Sequence, residues 1–436
     1  MSKTLWTALC LWCLWPNCVW SSPKIERWET ANGVPVLFVA APGIPMLKVR
    51  LVFAAGSAYD GAAPGLASLT SGLLGEGTQG LSADEFHRQM EATGAEFSAG
   101  ALRDMAWVSL RTMTDPVYAE PALKLARAAL TQPRFAAEDF ARVRHQMRAG
   151  LQQEKSSPGA LGDKAMLHAI YGEHPYAKPS GGTEASVAAF TPEVAAAFYQ
   201  RYYVTDNALL VIVGAVTREA AARIADTLVA KLPRGTRASA VPSVAVPVVS
   251  QSVHIDLPGA QSHLLLAQPG ISRSDPDYFP LVVGNHVLGG NGPVSLLFQE
   301  IRERRGLSYS VDSHFEPLAA AGPFVISLQT DARREHEAQQ VLRATLAAFL
   351  ADGPDEAALL AAKHNLIGGF PLRIDNNSKL TEYLTVIGFY RLPLDYLESY
   401  PRAVEAVTSA QIREAFQRRV PLAHMAQITV GPTATP

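Results

Sequence analysis

The feature that most constrains this chain is a repeated order of strand-like and helix-like segments. Near the start, GVPVLFVAA and MLKVRLVFAAG are rich in Val, Leu and Phe and are bounded by Gly or Pro, which is typical of strands. Helical patterns follow at residues 82–93, 116–130 and 137–155. Residues 191–233 then predict a helix that starts at Thr191, a buried strand (NALLVIVGAV) and a second helix (TREAAARIADTLVAKL).

The second half of the sequence returns to the same order. The strand text SVHIDLPGAQSHLLLAQPG is followed by predicted helices around residues 280–288 and at residues 294–305. Two strands (LSYSVDSHFEP and GPFVISLQTD), helices near residues 335–351 and 355–366, and the closing strand MAQITVGP complete the half. Such self-similarity indicates an internal duplication.

Strand pairs that alternate with helix pairs predict an α+β fold in which helices pack on a sheet. We expect two homologous α/β-roll domains with antiparallel-rich sheets, at residues 23–233 and 251–436. The segment between them, residues 234–250, is rich in Pro, Ser and Ala without any period and reads as a linker. A length of 436 residues and a hydrophobic content of 48% are enough for two cores.

The overall charge balance argues against nucleic acid or an anionic membrane surface as a partner. The formal net charge is -2 and the isoelectric point is near 6.6. Nucleic acid and anionic membrane surfaces attract strongly basic chains, so neither is expected to bind.

Residues 1–22 predict a secretory signal, because an apolar run (LWTALCLWCLWPNCVW) follows a basic residue and ends in SSPK. Cleavage is expected after Ser21. An uncleaved membrane anchor is disfavoured because Pro16 interrupts the run short of a full span. A lipid-anchored Cys18 is a weaker alternative, because the flanking residues are poor for lipoprotein processing.

All three cysteines lie in this segment: Cys10, Cys13 and Cys18. The mature chain would therefore have no disulfide, no thiolate metal ligand and no cysteine nucleophile. An exported protein of this size without disulfides suits a bacterial periplasm.

Several common catalytic motifs are missing from the sequence. There is no phosphate-binding loop that ends in Gly-Lys-Ser or Gly-Lys-Thr, so LGGNGPV at residues 288–294 reads as a glycine turn. No Gly-x-Ser-x-Gly elbow occurs. No two histidines stand four residues apart, and His168 and His174, six apart, fit structural roles better than a zinc site.

The segment GLASLTSGLLGEGT, residues 65–78, predicts a short helix with one apolar face. Its apolar residues recur at i, i+3 and i+7: Leu66, Leu69 and Leu73. The other face offers Ser68, Ser71 and Gly72, which carry almost no functional groups.

Three segments carry a resemblance to a known family: this helix, the stretch HPYAKPSGGTEASVAAFTPEVAAAFYQRYYVTDNALLVIVGAV and the stretch LGGNGPVSLLFQEIRERRGLSYSV. The chain resembles the pitrilysin and insulinase group of zinc metallopeptidases. The similarity is to the small two-subunit kind that includes the mitochondrial processing peptidase, and it covers nearly the whole mature sequence. Catalytic members carry His-x-x-Glu-His on the first helix, where two histidines bind zinc and the glutamate activates water. The resemblance places these three positions at Ser68, Ser71 and Gly72, none of which can do this chemistry.

The resemblance also implies a third ligand, a glutamate, at Ala149 or Gly150, and neither residue can bind a metal. Glu154 is the nearest acid, but it lies a turn too late and reads as a solvated helix residue. We therefore expect no metal in this chain.

In the second half, the resemblance implies a functional arginine and tyrosine at Arg302 and Tyr309. Arg302 lies near the end of a predicted helix, Gly306 allows the chain to turn, and Tyr309 begins the next strand, so both side chains can reach one cavity. A guanidinium and a phenol can bind a substrate carbonyl or stabilise an oxyanion. Without the resemblance, Arg302 reads more readily as one of a run of solvated charges and Tyr309 as a half-buried strand residue, and the matched motif favours the functional reading instead.

The glycine loop is a candidate substrate-binding segment whose mobility would serve substrate entry, although a plain turn explains it as well. Its members are Gly289, Gly290, Asn291 and Gly292.

These features predict a non-catalytic subunit of a heterodimeric zinc peptidase, whose homologous partner holds the zinc. The two chains would close like a clamshell around an extended peptide, with an edge strand for pairing with substrate. One alternative is an inert scaffold of the same fold in the cell envelope. Another is an autonomous peptidase with a non-standard metal site at His145 and Glu154.

Overall fold

The computed structural model describes residues 22–245 and 250–433 of the chain. All of the predicted signal segment except Ser22 lies outside the described residues, and so does the part of the linker at residues 246–249. Within the described ranges, no helix is both long and apolar enough to cross a membrane.

The first half is built on a six-stranded sheet. Its strands are β1 (Glu26–Glu29), β2 (Pro35–Ala40), β3 (Met46–Phe53), β4 (Glu96–Ala101), β5 (Ala106–Met113) and β6 (Ala208–Gly214). They lie in the order β1-β2-β6-β3-β5-β4. Only β2 and β6 are parallel, and β4 forms one edge.

The second half repeats this sheet without its outermost strand. Its strands are β7 (Ser252–Asp256), β8 (Gln261–Pro269), β9 (Ser308–Phe315), β10 (Pro323–Asp331) and β11 (Ala426–Gly431). The order β7-β11-β8-β10-β9 matches β2-β6-β3-β5-β4 strand for strand, including the single parallel pair. The predicted α+β fold of two similar domains is therefore confirmed.

The helices of the described residues follow the two halves of the chain. They are α1 (Leu66–Leu73), α2 (Ala83–Ala92), α3 (Pro116–Thr131), α4 (Ala137–Glu154), α5 (Pro158–Tyr171), α6 (Glu184–Ala189), α7 (Pro192–Tyr202), α8 (Arg218–Val229), α9 (Tyr278–Asn285), α10 (Glu335–Asp352), α11 (Glu356–Gly369), α12 (Asn377–Phe389), α13 (Tyr396–Glu405) and α14 (Ser409–Arg419). Capping residues fix several of the starts. Ser82 Oγ accepts the Glu85 N–H at 3.3 Å, and Thr191 Oγ1 accepts the Val194 N–H at 3.4 Å.

One predicted helix, residues 294–305, differs in the structure. Residues Gly292–Val294 form a turn of 3₁₀-helix, and the following helical segment is wound as a π-helix over Phe298–Glu303. Helix α9 also widens at its end into a π-helix over His286–Gly290. Such wide turns are rare and occur frequently at functional sites.

Two helices cross from one half to the other. Helix α5 packs on β8 and β11 of the second sheet, and α12 packs on β3 and β6 of the first. Each sheet therefore has one face covered by helices of its own half and part of the other face covered by a helix of the opposite half. A single buried cluster joins residues such as Val52 and Val211 to Leu384 and Ile387.

A buried carboxylate, Asp104, also ties the halves together. It lies between β4 and β5 and accepts hydrogen bonds from the hydroxyl of Tyr176 at 2.6 Å, the hydroxyl of Tyr390 at 2.9 Å and the backbone N–H of Ala319 at 2.7 Å. Burial, and then the Asp104 charge, raise the pKa of Tyr176 and Tyr390, so both phenols stay protonated and donate. This network joins the first half to two separate segments of the second.

Candidate functional site

The degenerate zinc positions lie on α1, where their polar atoms are bonded to backbone. Ser68 Oγ donates to the carbonyl of Ser180 at 2.8 Å, and Ser71 Oγ donates to the carbonyl of Ser68 at 3.0 Å. A Cβ at Gly72 would be 3.4 Å from the Val143 side chain of α4, so the helices approach closely there. Two hydroxyls that already donate to carbonyls, and a glycine, do not fit a zinc ion.

The neighbouring helix α4 supplies no replacement ligand. Ala149 and Gly150 lack ligating groups, and Glu154 pairs with Lys164. His145 and Glu154 are nine residues apart, which is two and a half helical turns, so they project from opposite faces about 13 Å apart along the axis. Across residues 22–245 and 250–433, no group of three or more His, Cys, Asp or Glu side chains could hold a metal.

A buried carboxylate at the start of α1, Asp60, is a site residue that the sequence motifs did not reveal. Its oxygens accept the backbone N–H groups of Gly65 at 2.7 Å and Ala67 at 2.8 Å, which satisfies donors at the helix N-terminus. Burial raises the pKa of Asp60 to about 7, against the lowering effect of these hydrogen bonds. The sequence signal for this cap is an acidic residue a few positions before the Pro-Gly pair at which α1 begins.

A fixed turn connects Arg302 to Tyr309. Gly306 has a φ of +58°, a conformation that favours glycine, and its N–H bonds the carbonyl of Arg302 at 2.9 Å. The guanidinium of Arg334 donates to the carbonyls of Gly306 at 3.2 Å and Arg305 at 3.3 Å. The turn that the sequence predicts at Gly306 is therefore held from both sides.

A β-bulge sets the direction of the tyrosine. The pairing of β9 with β10 shifts between Leu328 and Thr330, where Tyr309 and Ser310 lie opposite the single residue Gln329. Bulges of this kind redirect side chains at sheet edges. Tyr309 is 82% exposed, the highest value among the large apolar and aromatic side chains described as exposed.

The structure brings Arg302 and Tyr309 to one groove of about 570 Å³, which Gln261, Asp331 and Arg334 also line. The Arg302 guanidinium lies 4.7 Å from the centre of the Phe298 ring. Two neighbours in the same run of charges, Arg304 and Arg305, pair instead with Glu300. Arg302 therefore differs from the other arginines of the run, although its role in catalysis stays a prediction.

Packing explains much of the glycine loop. Gly289 is buried, and a Cβ there would lie 2.8 Å from the backbone nitrogen of Ser313. A Cβ at Gly290 would lie 2.7 Å from the Asn285 amide nitrogen, and Gly292 has a φ of +49°. Contact with substrate at Gly290, Asn291 and Gly292 stays a prediction, whereas the burial of Gly289 points to a structural role.

The family comparisons agree with this arrangement. A family model described as "Insulinase (Peptidase family M16)" matches residues 36–184, and one described as "Peptidase M16 inactive domain" matches residues 189–366. The chain belongs to the insulinase family of peptidases, family M16. It is 28% identical to an uncharacterized zinc protease of Mycobacterium leprae over 82% of this chain and 80% of that protein. It is 22% identical to the uncharacterized zinc protease YmxG of Bacillus subtilis over 82% and 86% of the two chains.

Solved structures show the same fold. A peptidase M16 inactive domain from Pseudomonas fluorescens superposes with a TM-score of 0.92 and 38% identity, covering 94% of this chain and 98% of that chain. A protease from Helicobacter pylori superposes with a TM-score of 0.86 and 17% identity over 94% and 100% of the chains. The periplasmic protease PqqL from Escherichia coli has a TM-score of 0.78 at 16% identity, and this chain covers 46% of it.

Proposed function

We propose that this chain is the non-catalytic, substrate-binding subunit of a heterodimeric zinc metallopeptidase. Its homologous partner supplies the zinc ion and the water-activating glutamate. This chain supplies Arg302 and Tyr309, which bind the carbonyl oxygen of the scissile peptide and stabilise the charge that develops on it. An exposed edge strand of the sheet adds backbone hydrogen bonds to an extended peptide.

The observation that carries this proposal is the contrast between α1 and the turn before β9. The hydroxyls of Ser68 and Ser71 are bonded to backbone carbonyls, so these positions of α1 offer no metal ligand. Arg302 and Tyr309 line one groove, fixed by Gly306 and by a bulge. A fold that had lost all chemistry would have no need for two donors aimed into one groove.

Export to the periplasm is part of the proposal. It is supported by the signal-like sequence of residues 1–22 and by the similarity to a periplasmic protease of Escherichia coli. In cell fractionation, the mature chain is expected to appear without its first residues in the periplasmic fraction.

The test is affinity purification of the tagged mature chain from its own cell envelope, followed by identification of stoichiometric partners. We expect a chain of similar length that carries His-x-x-Glu-His, and a pair that binds zinc and cleaves peptides that neither chain cleaves alone. Purification of the chain alone, or with unrelated envelope proteins and without peptide cleavage, would contradict the proposal. An inert scaffold would then be the better description.

A further inference from the structure

The first sheet carries a basic cluster on the face that turns toward the second half. Residues of β3 alternate between faces, so that Leu47, Val49 and Leu51 contact the first core while Lys48 and Arg50 lie on the opposite face. Helix α12 packs on this face over β3 and β6, which leaves its β5 and β4 side more open. The half-buried side chains of this face, at the border of the open side, are Lys48 and Arg50 of β3 and Trp107 and Arg111 of β5.

Cross-strand pairing brings the cations together. Lys48 lies directly opposite Arg111 in the register of β3 and β5, and Arg50 is two residues further along β3 on the same face. The Arg50 guanidinium lies 4.8 Å from the centre of the Trp107 ring. That ring lies across β4, because a Cβ at Gly100 would be 2.9 Å from it. The cluster is therefore a built surface in which an aromatic ring supports one guanidinium beside the edge strand.

The charges of this surface are incompletely balanced by the protein. Glu96 pairs with Arg111, and Glu382 of α12 acts on Lys48 and Arg50 only at longer range, since it forms no ion pair among the described residues. Two carboxylates thus face three cations. Lys48 donates one hydrogen bond, at 3.1 Å to Ser378 Oγ, and Arg50 Nε is buried without a hydrogen-bond partner. Burial, and then the charges of Arg50 and Arg111, lower the pKa of Lys48.

We propose that this basic face, formed by Lys48, Arg50 and Arg111, binds a carboxylate group of a peptide that lies along the open side of the first sheet. A planar guanidinium and an ammonium group recognise carboxylates by charge-assisted hydrogen bonds. The carboxylate comes either from an acidic side chain or from the C-terminus of the peptide. That the ligand is a peptide rests on the proposed function, whereas the carboxylate chemistry rests on the cluster itself.

Direct binding to the purified chain tests this proposal without any partner subunit, so it does not depend on whether a peptidase complex exists. The probes are three unlabelled peptides of one short sequence, and binding is measured by isothermal titration calorimetry. The first has one internal Glu and a C-terminal amide, the second has Gln in that place and a free C-terminal carboxylate, and the third has Gln and the amide. We expect one of the first two to bind about tenfold more tightly than the third, and which one does so identifies the source of the carboxylate.

The double variant Lys48→Gln, Arg111→Gln is expected to remove this preference and to leave the affinity for the third peptide unchanged. The control is the double variant Lys155→Gln, Arg402→Gln, which removes the same charge from ion pairs on exposed surfaces elsewhere. It is expected to keep the preference. Equal affinities for the three peptides, or a preference that survives the first double variant, would overturn the proposal.

A variant that is expected to increase the affinity keeps the proposal testable if the variants that weaken binding fail to fold. Glu382→Gln removes the carboxylate that faces the cluster from α12 and is expected to tighten binding of the preferred peptide a few-fold. The same change should leave binding of the carboxylate-free peptide unaltered. No gain in affinity with Glu382→Gln would count against the assignment even if the other variants were unstable.

Discussion

The two halves of this chain share one strand order but differ in the charged side chains on their partly open sheet faces. In the first half, the face on which α12 packs carries Lys48 and Arg50 of β3 and Arg111 of β5. In the second half, the equivalent face beside α5 carries Asp312, which accepts the Ser327 hydroxyl at 2.6 Å and pairs with His314 at 3.2 Å. The alternation of side chains along a strand fixes which residues face the core, whereas the residues of a partly open face are less constrained.

The helices at the two sites diverged in the same way. Helix α1 retained its apolar residues, but Ser68, Ser71 and Gly72 offer no metal ligand. In the second half, a π-helix before β9 and a bulge in β9 bring Arg302 and Tyr309 to one groove. The same scaffold therefore offers no metal ligand at these positions of α1, while its second half presents an arginine and a tyrosine to one groove.

The largest effect on stability is expected from a substitution in the network that joins the two halves. Asp104→Asn replaces a carboxylate that accepts three hydrogen bonds, two of them from phenols, and leaves buried donors without a charged acceptor. We expect the free energy of unfolding to fall by about 3 kcal/mol. Urea unfolding followed by circular dichroism measures this loss.

Tyr390→Phe is the milder partner of that substitution, because it removes one hydrogen bond and keeps the ring in place. A loss of about 1.5 kcal/mol is expected. If Asp104→Asn costs no more than Tyr390→Phe, the network does not hold the halves together.

The next largest effect is expected on the turnover of the assembled enzyme, through the proposed pair of the second half. Arg302→Ala removes a donor at the proposed carbonyl-binding groove and is expected to lower the turnover of the assembled enzyme about 100-fold. Tyr309→Phe removes only the phenol hydroxyl and should lower turnover less, about tenfold. Turnover is measured on the co-purified pair, with its yield as a check on assembly.

Arg304→Ala is a matched control in the same run of charges, because its guanidinium pairs with Glu300 at the surface. Its turnover is expected to equal that of the unaltered chain. Unchanged turnover in both the Arg302 and the Tyr309 variants would refute the role assigned to the pair.

Much of the fold follows from local sequence signals, but the contacts between halves do not. Strands β2, β3 and β6 to β11, and helices α3, α4, α10 and α11, appear where apolar periodicity and caps predict them. Strands β1, β4 and β5 were not predicted. The crossing helices α5 and α12 were not predicted. Gly159 and Gly162 interrupt the helical signal of α5, and buried threonines with Gly388 weaken that of α12.

In the candidate site, too, the features that depend on neighbouring residues could be predicted, and those that depend on strand pairing could not. The turn at Gly306 is local, and its glycine predicts it. The exposure of Tyr309 depends on a bulge against β10, and the cluster of Lys48 with Arg111 depends on the register between β3 and β5. Cross-strand pairings of this kind are set by the whole sheet, so no short segment contains them.

A smaller effect is expected on the pH dependence of stability, where Asp60 before α1 and Asp277 before α9 act differently. Burial raises the pKa of Asp60 from 3.8 to about 7, so its contribution to stability is present below pH 4 and is lost as the pH rises through 7. For Asp277, partial burial acts upward, but hydrogen bonds to Arg418 and Arg419 lower its pKa, so its contribution is present above pH 4 and is lost on acidification. The two sites should therefore tilt the pH profile of stability in opposite directions.

Unfolding free energies measured between pH 3 and 8 check this expectation. Asp60→Asn should remove a decline of at most about 1.4 kcal/mol per pH unit between pH 4 and 7. Asp277→Asn should leave that decline in place. It should weaken the increase in the free energy of unfolding that occurs as the pH is raised toward 4. A decline that persists in Asp60→Asn would assign it to other groups.

The smallest effect concerns how tightly each crossing helix meets the opposite sheet. A Cβ at Gly388 of α12 would lie 2.6 Å from Leu209 and 2.8 Å from Leu37, whereas one at Gly162 of α5 would lie 3.0 Å from Leu265. Gly388→Ala should therefore destabilise the chain by about 1 kcal/mol through overpacking. In Gly162→Ala, the gain in helix propensity should offset the milder crowding. Thermal unfolding of both variants checks the difference, and equal losses would mean that the two crossings are equally tight despite the divergence of the sheets they cover.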